Sequence, residues 1–305
     1  MSYRAALITG ASGGIGAAFA RALPAETHLV LTGRNTARLE QLAAQLQSPG
    51  RNIAVVPADL TAPDGRNAVI EAARTHAIDL LVCNAGGTKA GPFLKTAPSD
   101  EHATIGLNVV ALAELLHAIA PPLIERARRD NRRAGIIVVS SAAALSASAG
   151  VASYGASKAF QLHLTRTLAA ELQDEPVDIV VLCPTYTVSG FFARAGLAMP
   201  SEALSPEAVA REGLAALGRD TLRFYGTRRA PQALRQLLAL NPALDGRNWP
   251  KYIARWYRRR VRRRTYLKAL LPLAATQLHM AFQELFDALS ITESAGNVLQ
   301  IVSSL

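Results

Sequence analysis

The chain has 305 residues, enough for one α/β sheet domain with an appendage and too many for a small disulfide scaffold. Half of them are apolar and 18% are charged, with a mean hydropathy of +0.16, which excludes global disorder and collagen-like or low-complexity architectures. The net charge of +10 is local: over 1–218 the 18 basic and 18 acidic residues cancel, whereas over 219–268 there are 15 basic residues against Asp220 and Asp245, and Glu284, Asp287 and Glu293 close the chain. The first 218 residues therefore carry no general affinity for polyanions, while the late segment could meet an acidic partner or an anionic surface.

Residues 221–226 (TLRFYG) could make a last strand, and before them short apolar runs recur along the chain: RAALIT (4–9), HLVLTG (28–33), NIAVVP (52–57), IDLLVC (78–83), GIIVVS (135–140) and VDIVVLC (177–183). Each is bounded by turn residues and rich in β-branched residues or Leu, and segments of helical period such as TARLEQLAAQL (36–46) lie between them. Runs apolar at successive rather than alternate positions fit strands buried on both faces, so the expected fold is α/β: a doubly wound, Rossmann-like parallel sheet. Long helices are expected over 100–129 and 153–173, the second carrying apolar residues at Phe160, Leu164 and Leu168 in an i+4 series. No run of eighteen uninterrupted apolar residues suggests a membrane span. Cys83 and Cys183 each end an apolar run and read as free core thiols of a reducing compartment. With no secretory pattern at the N-terminus, a cytoplasmic location is expected.

The first run leads into Thr9-Gly10-Ala11-Ser12-Gly13-Gly14-Ile15-Gly16 and then a helical pattern. Glycines at a strand-to-helix turn let the backbone approach a pyrophosphate, which then sits on the helix N-terminus where free N–H groups favour anions. Tyr154 and Lys158 are four apart, so on a helix they share a face, and the ammonium is expected to draw the phenol's pKa down and make it a usable acid–base. Ser141, ending a buried strand, could donate to a developing oxyanion or simply cap a turn. After the second strand Arg34 stands where an NAD-specific site would carry an acid, and no acid follows before Glu40. A guanidinium there suits the 2′-phosphate of NADP(H), with Ser12 or Arg38 as helpers, although a solvated Arg34 in a site accepting both cofactors stays open. The six histidines lack ligand spacing, and no metal is expected.

The loop Gly10-x3-Gly14-x-Gly16 resembles the TGxxxGxG loop of the short-chain dehydrogenase/reductase family, and other segments from about 4 to 227 resemble it in order. Asn84-Ala85-Gly86 is similar to its NAG element, Asp59-Leu60 to its adenine-side acidic position, Tyr154 to Lys158 to its YxxxK motif, Ser141 to its serine and Asn108 to its mid-helix asparagine. The resemblance implies an NADP(H)-dependent oxidoreductase in which Tyr154 protonates a carbonyl oxygen, Ser141 polarises it, Lys158 also binds the nicotinamide ribose and Asn108 holds a water in the proton relay. It further implies a homo-oligomer pairing through its long helices. Pro184-Thr185 departs from the family's Pro-Gly, restricting the backbone beside the nicotinamide. Ser189, or Thr187, takes the carboxamide-binding position.

The segment 186–204 reads as a lid, and its Phe191, Phe192, Leu197 and Met199 suggest an apolar or lipid-like carbonyl or alcohol substrate. A boundary near 230 separates a catalytic domain (1–230) from a basic helical extension (231–305). Within the extension, WPKYIARWYRRRVRRRTYLK (249–268) could dock at a membrane surface, fold back over the substrate mouth or meet a partner subunit; nucleic acid is the least expected partner. The rival from another class is a non-catalytic dinucleotide-binding regulator whose basic tail contacts nucleic acid.

Overall fold

The computed structural model describes residues 3–226. The expected helical extension over 231–305, with its segment 249–268, lies outside the described residues. All seven expected strands form: β1 (Ala5–Thr9), β2 (His28–Gly33), β3 (Ile53–Pro57), β4 (Leu80–Cys83), β5 (Ala134–Val139), β6 (Val177–Pro184) and β7 (Leu222–Tyr225). They make one parallel sheet in the order β3-β2-β1-β4-β5-β6-β7.

Successive residues of the central strands feed opposite cores. Leu7, Leu81, Ile136 and Ile179 enter one cluster, while Ile8, Val82, Ile137 and Val180 enter the other. This is why these runs are apolar at every position. The second cluster is covered by α1 (Gly14–Ala22), α2 (Thr36–Leu46) and α8 (Pro206–Ala216). Asn35 caps α2 by accepting from the Arg38 amide at 3.0 Å, and Ser205 caps α8 by accepting from that of Ala208 at 3.1 Å.

The first cluster lies under α3 (Pro63–Thr75), α5 (Ala111–Arg129) and part of α6 (Ala152–Glu171). Helix α4 (Pro98–Ile105) runs into α5 through a π-helical segment, Gly106–Val110, so the expected long helix is continuous but widened in its middle. By length and hydropathy Pro98–Arg129 is apolar enough to cross a membrane. Its apolar stripe (Leu112, Leu115, Leu116, Ile119, Leu123) is buried against the sheet, each such side chain being worth about 1.5–3 kcal/mol.

Of the apolar series on α6, Phe160 is exposed while Leu164 and Leu168 are half-buried and pack against the first cluster, and the fully buried face carries Ser157, Lys158, Gln161, Leu162 and Thr165. The helix is rotated to present polar groups inward because partners for them converge there from β5 and the π-helical segment.

Candidate active site

The sheet order reverses direction between β1 and β4, and the loops leaving these strands are tied together there. The buried Thr9 hydroxyl accepts from the backbone N–H groups of Asn84 and Ala85, both at 2.9 Å, and the Asn84 amide donates to the carbonyls of Thr9 at 3.0 Å and Gly10 at 3.3 Å. Two glycines are required by this closeness. Gly10 has φ +68°, and a Cβ on it would lie 2.9 Å from the Asn84 amide nitrogen; a Cβ on Gly16 would lie 2.3 Å from the Gly10 carbonyl oxygen. The N-terminus of α1 faces a cleft lined by Ser12, Gly13, Gly14, Arg21 and Arg38, so its unpaired N–H groups, Ile15 among the first turn, offer a seat for a diphosphate.

At the far end of this cleft Ser12 stands against Gly33, beside exposed Arg34. Asp59 accepts from the Thr61 amide at 2.9 Å and hydroxyl at 2.8 Å. These bonds hold its carboxyl below the usual range, with the Arg34 charge adding to them. Leu60 beside it is buried. Arg194, from the lid helix, has its pKa lowered by burial and then by the charges of Arg34 and Arg38. Among the described residues no carboxylate forms an ion pair with these three arginines. The residues present thus fit a dinucleotide: a glycine turn packed closely enough to present the N-terminus of α1 to a cleft, and cations gathered near the cleft's adenosine side.

Ser141, Tyr154, Lys158 and Asn108 are brought together at the C-terminal edge of β4, β5 and β6. Burial pushes the Tyr154 phenol up to about 12, a hydrogen bond with the Ser141 hydroxyl opposes this, and Cys183 adds to the rise. The expectation that Lys158 draws the phenol down is therefore corrected. Its Nζ stands 5.6 Å from the Tyr154 ring centre and donates instead to the Val139 carbonyl and to Gln161 Oε1, each at 3.0 Å. Burial lowers Lys158 itself to about 8. At neutral pH the pair is an intact phenol beside an ammonium, which is the proton-donating form. Ser141 also realises its plainer role, capping the turn Ala142–Leu145 by accepting from the Ala143 amide at 3.1 Å.

Asn108 is fully buried in the π-helical segment, and such widened turns recur at functional sites. Its side chain accepts from the Gly87 amide at 3.0 Å and donates to the Gly87 carbonyl and the Ser157 hydroxyl, both at 2.9 Å. Gly86 packs between Asn108 and Lys158. The Asn108 carbonyl accepts from Gln161 Nε2 at 2.8 Å, so Gln161 stands beside Asn108 where the resemblance places a relay water.

Thr185, in place of the expected glycine, is accommodated by a compensating glycine: its side chain fills the space where a Cβ on Gly226 would lie, 2.2 Å from Thr185 Cγ2. The β6–β7 pairing continues past Pro184, with the Thr185 amide donating to the Tyr225 carbonyl at 2.9 Å. The lid then closes on itself through a bridge between Thr187 and Leu204. Ser189 lies against Gly14 and accepts from the Phe191 amide at 3.3 Å, while Thr187 is buried and donates to the Thr185 carbonyl at 3.1 Å. The Phe191 ring, in α7 (Phe191–Ala195), lies 5.1 Å from that of Tyr154 and 5.5 Å from Phe192. Phe192 is buried, whereas Tyr186, Val188, Leu197 and Met199 are exposed on the lid and Phe93 and Leu94 on the loop between β4 and α4.

Sequence reasoning missed Thr9, Ser157, Gln161 and Arg194. Thr9 stands in the quoted loop motif, and its position beside Gly10 is the signal that could have found it. Gln161, one turn beyond Lys158 on the same helix face, could have been found the same way; Arg194 had no signal beyond its place in the lid.

Comparisons with known proteins agree with this geometry. The family model for short chain dehydrogenase matches residues 4–198. The 1-deoxy-11-beta-hydroxypentalenate dehydrogenase of Streptomyces arenae is 34% identical over 245 residues, covering 76% of this chain and 85% of that one. Among solved structures, a short-chain dehydrogenase from Sphingobium yanoikuyae in complex with NADPH superposes with a TM-score of 0.70 at 29% identity, over 79% of this chain and 93% of that one. The bulky-bulky ketone specific alcohol dehydrogenase from Comamonas testosteroni does so with 0.66 at 26% identity, over 80% and 92%. The chain belongs to the short-chain dehydrogenase/reductase family, oxidoreductases that bind NAD(P)(H) and act on small alcohols and ketones.

Proposed function

We propose that this protein is an NADP(H)-dependent reductase of an apolar ketone, or the secondary-alcohol dehydrogenase that runs the same reaction backwards. The observation that carries the chemistry is the half-buried Tyr154, whose phenol shares a hydrogen bond with Ser141 and whose ring lies 5.6 Å from the Lys158 ammonium. When bound, the reduced nicotinamide supplies the hydride. Tyr154 gives its proton to the substrate oxygen, and the Ser141 hydroxyl donates to the same oxygen as negative charge develops there. Lys158 commits two of its N–H groups to Val139 and Gln161, and the remaining one is free for the ribose hydroxyls. Ser189 or Thr187 would hold the carboxamide. Gly10, Gly14, Ile15, Gly16 and Asn84-Ala85-Gly86 would line the diphosphate and nicotinamide ribose, and Asp59-Leu60 the adenine.

Preference for the 2′-phosphate is supported by the cations Arg34, Arg38 and Arg194 near Ser12, none of which forms an ion pair with a carboxylate among the described residues. An apolar substrate is supported by the exposed apolar side chains Tyr186, Val188, Leu197 and Met199 of the lid and Phe93 and Leu94 of the loop after β4. Docking of 249–268 on an anionic membrane surface, and pairing of two chains through the long helices, belong to the same reading. A binding protein without catalysis has no feature in its favour, since it would need neither the phenol nor the ammonium.

Calorimetric titration of the full chain with NADPH and with NADH tests the cofactor reading. NADPH is expected to bind at least tenfold more tightly, and Arg34→Asp to reverse the order by removing a cation from the 2′-phosphate and offering an acceptor to the ribose hydroxyls. Equal affinity for both cofactors in the wild type would overturn the preference.

A further inference from the structure

We infer that Gln161 is a positioning residue of the active site, whose side-chain amide clamps the Lys158 ammonium between helix α6 and the backbone of Asn108. The inference rests on the reading of Lys158 as part of the catalytic group. Gln161 is 2% exposed, and its two polar ends are both used: Oε1 accepts from Lys158 Nζ at 3.0 Å and Nε2 donates to the Asn108 carbonyl at 2.8 Å. Its own backbone carbonyl accepts from the Thr165 hydroxyl at 2.7 Å, which fixes the turn from which the amide projects.

The clamp matters because of what surrounds the cation. Lys158 is 3% exposed, and among the described residues no carboxylate pairs with it. Its neighbours are the neutral Gly86 from the loop after β4, Val139 from β5, the Cys183 thiol from β6 and, on its own helix, Tyr154 and Gln161. The titratable groups facing it are thus Tyr154 and Cys183, and burial raises both toward about 12, so both are neutral at pH 7. The charge of Lys158 is held by two neutral hydrogen-bond acceptors, with the Tyr154 ring 5.6 Å away. One is a main-chain carbonyl that no substitution removes, and the other is Gln161. Each acceptor favours the protonated amine, against a desolvation that has already carried Lys158 down to about 8.

A second consequence follows from the chemistry of the amide. A water or hydroxyl between Lys158 and Asn108 could pass a proton along, whereas a carboxamide donates from nitrogen and accepts at oxygen without exchanging them on that time scale. Gln161 therefore anchors the ammonium and does not extend a proton path towards Asn108, and Tyr154 must recover its proton from the cleft side.

The test is the titration of Lys158 itself, which needs no knowledge of the substrate. The chain has 5 lysines, so the full-length protein carrying carbon-13 at the lysine Cε positions gives a countable set of signals, with Lys158 assigned through Lys158→Met. In Gln161→Leu the Lys158 midpoint is expected to fall by one pH unit or more, and in Gln161→Glu, which supplies a charged acceptor at the same atom, to rise above the wild-type value. Gln161→Glu keeps the test open if Gln161→Leu fails to fold. Unchanged midpoints in the folded variants would overturn the inference. Tyr154→Phe, measured for NADPH oxidation with a panel of bulky ketones, tests the catalytic reading separately, so a failure of one is not mistaken for a failure of the other.

Discussion

Helices α5 and α6 cover the same side of the sheet and meet the same core cluster, yet they bury opposite kinds of side chain. Helix α5 buries Leu112, Leu115, Leu116, Ile119, Leu123 and Ile124. Helix α6 buries Ser157, Lys158, Gln161 and Thr165, with Leu162. The first face is held by area removed from water, which needs no particular partner. The second is held by named hydrogen bonds to Asn108, Val139 and Tyr154, each of which must be made because an unmade one costs about 1–3 kcal/mol. The difference separates what keeps this sheet covered from what makes it reactive: α5 contributes stability, and α6 spends some of it to hold a cation out of water.

Substitutions on the two helices should therefore fail in different ways. Leu115→Ala, in the middle of the α5 stripe, is expected to lower unfolding free energy by about 2–5 kcal/mol while leaving NADPH affinity unchanged below the melting transition. Chemical denaturation and calorimetry on one preparation check both halves.

Lys158→Met should act through pH. Burial lowers Lys158 from its ordinary 10.5 to about 8, so below pH 8 the folded state carries the full cost of a buried ammonium. Between pH 8 and 10.5 the folded protein loses this proton while the unfolded chain keeps it, and stability rises with pH until the unfolded lysine also titrates. The shift corresponds to roughly 3 kcal/mol across that window. Subtracting the stability–pH curve of Lys158→Met from that of the wild type isolates this rise, and a flat difference would mean that the ammonium is not buried at a cost.

The same contrast explains what could be read from the amino-acid order. Strands covered on both faces leave continuous apolar runs such as IDLLVC and DIVVLC, and these are local. The glycine loop was legible because the backbone conformation of Gly10 and the close approach of Gly16 admit few other residues. The inward face of α6 was not. Its apolar period marks Phe160, Leu164 and Leu168, and the fully buried face is the polar one because its partners come from Asn108 and Val139, which no period along α6 encodes. The π-helical turn that delivers Asn108 has no pattern of its own, and Thr185 is explained by Gly226, far along the chain and across the sheet. The lowered pKa expected for Tyr154 failed for the same reason: spacing put Lys158 on the right face, but burial and the bonds that aim Nζ at Val139 and Gln161 are tertiary.

The most direct test of the account is Tyr154→Phe, with NADPH binding and NADPH oxidation measured side by side against bulky ketones. Because the phenol is assigned proton transfer and not cofactor binding, affinity for NADPH should hold within about threefold while turnover falls by about 10²–10⁴. Turnover surviving at the wild-type level would contradict the assignment of Tyr154 as the proton donor.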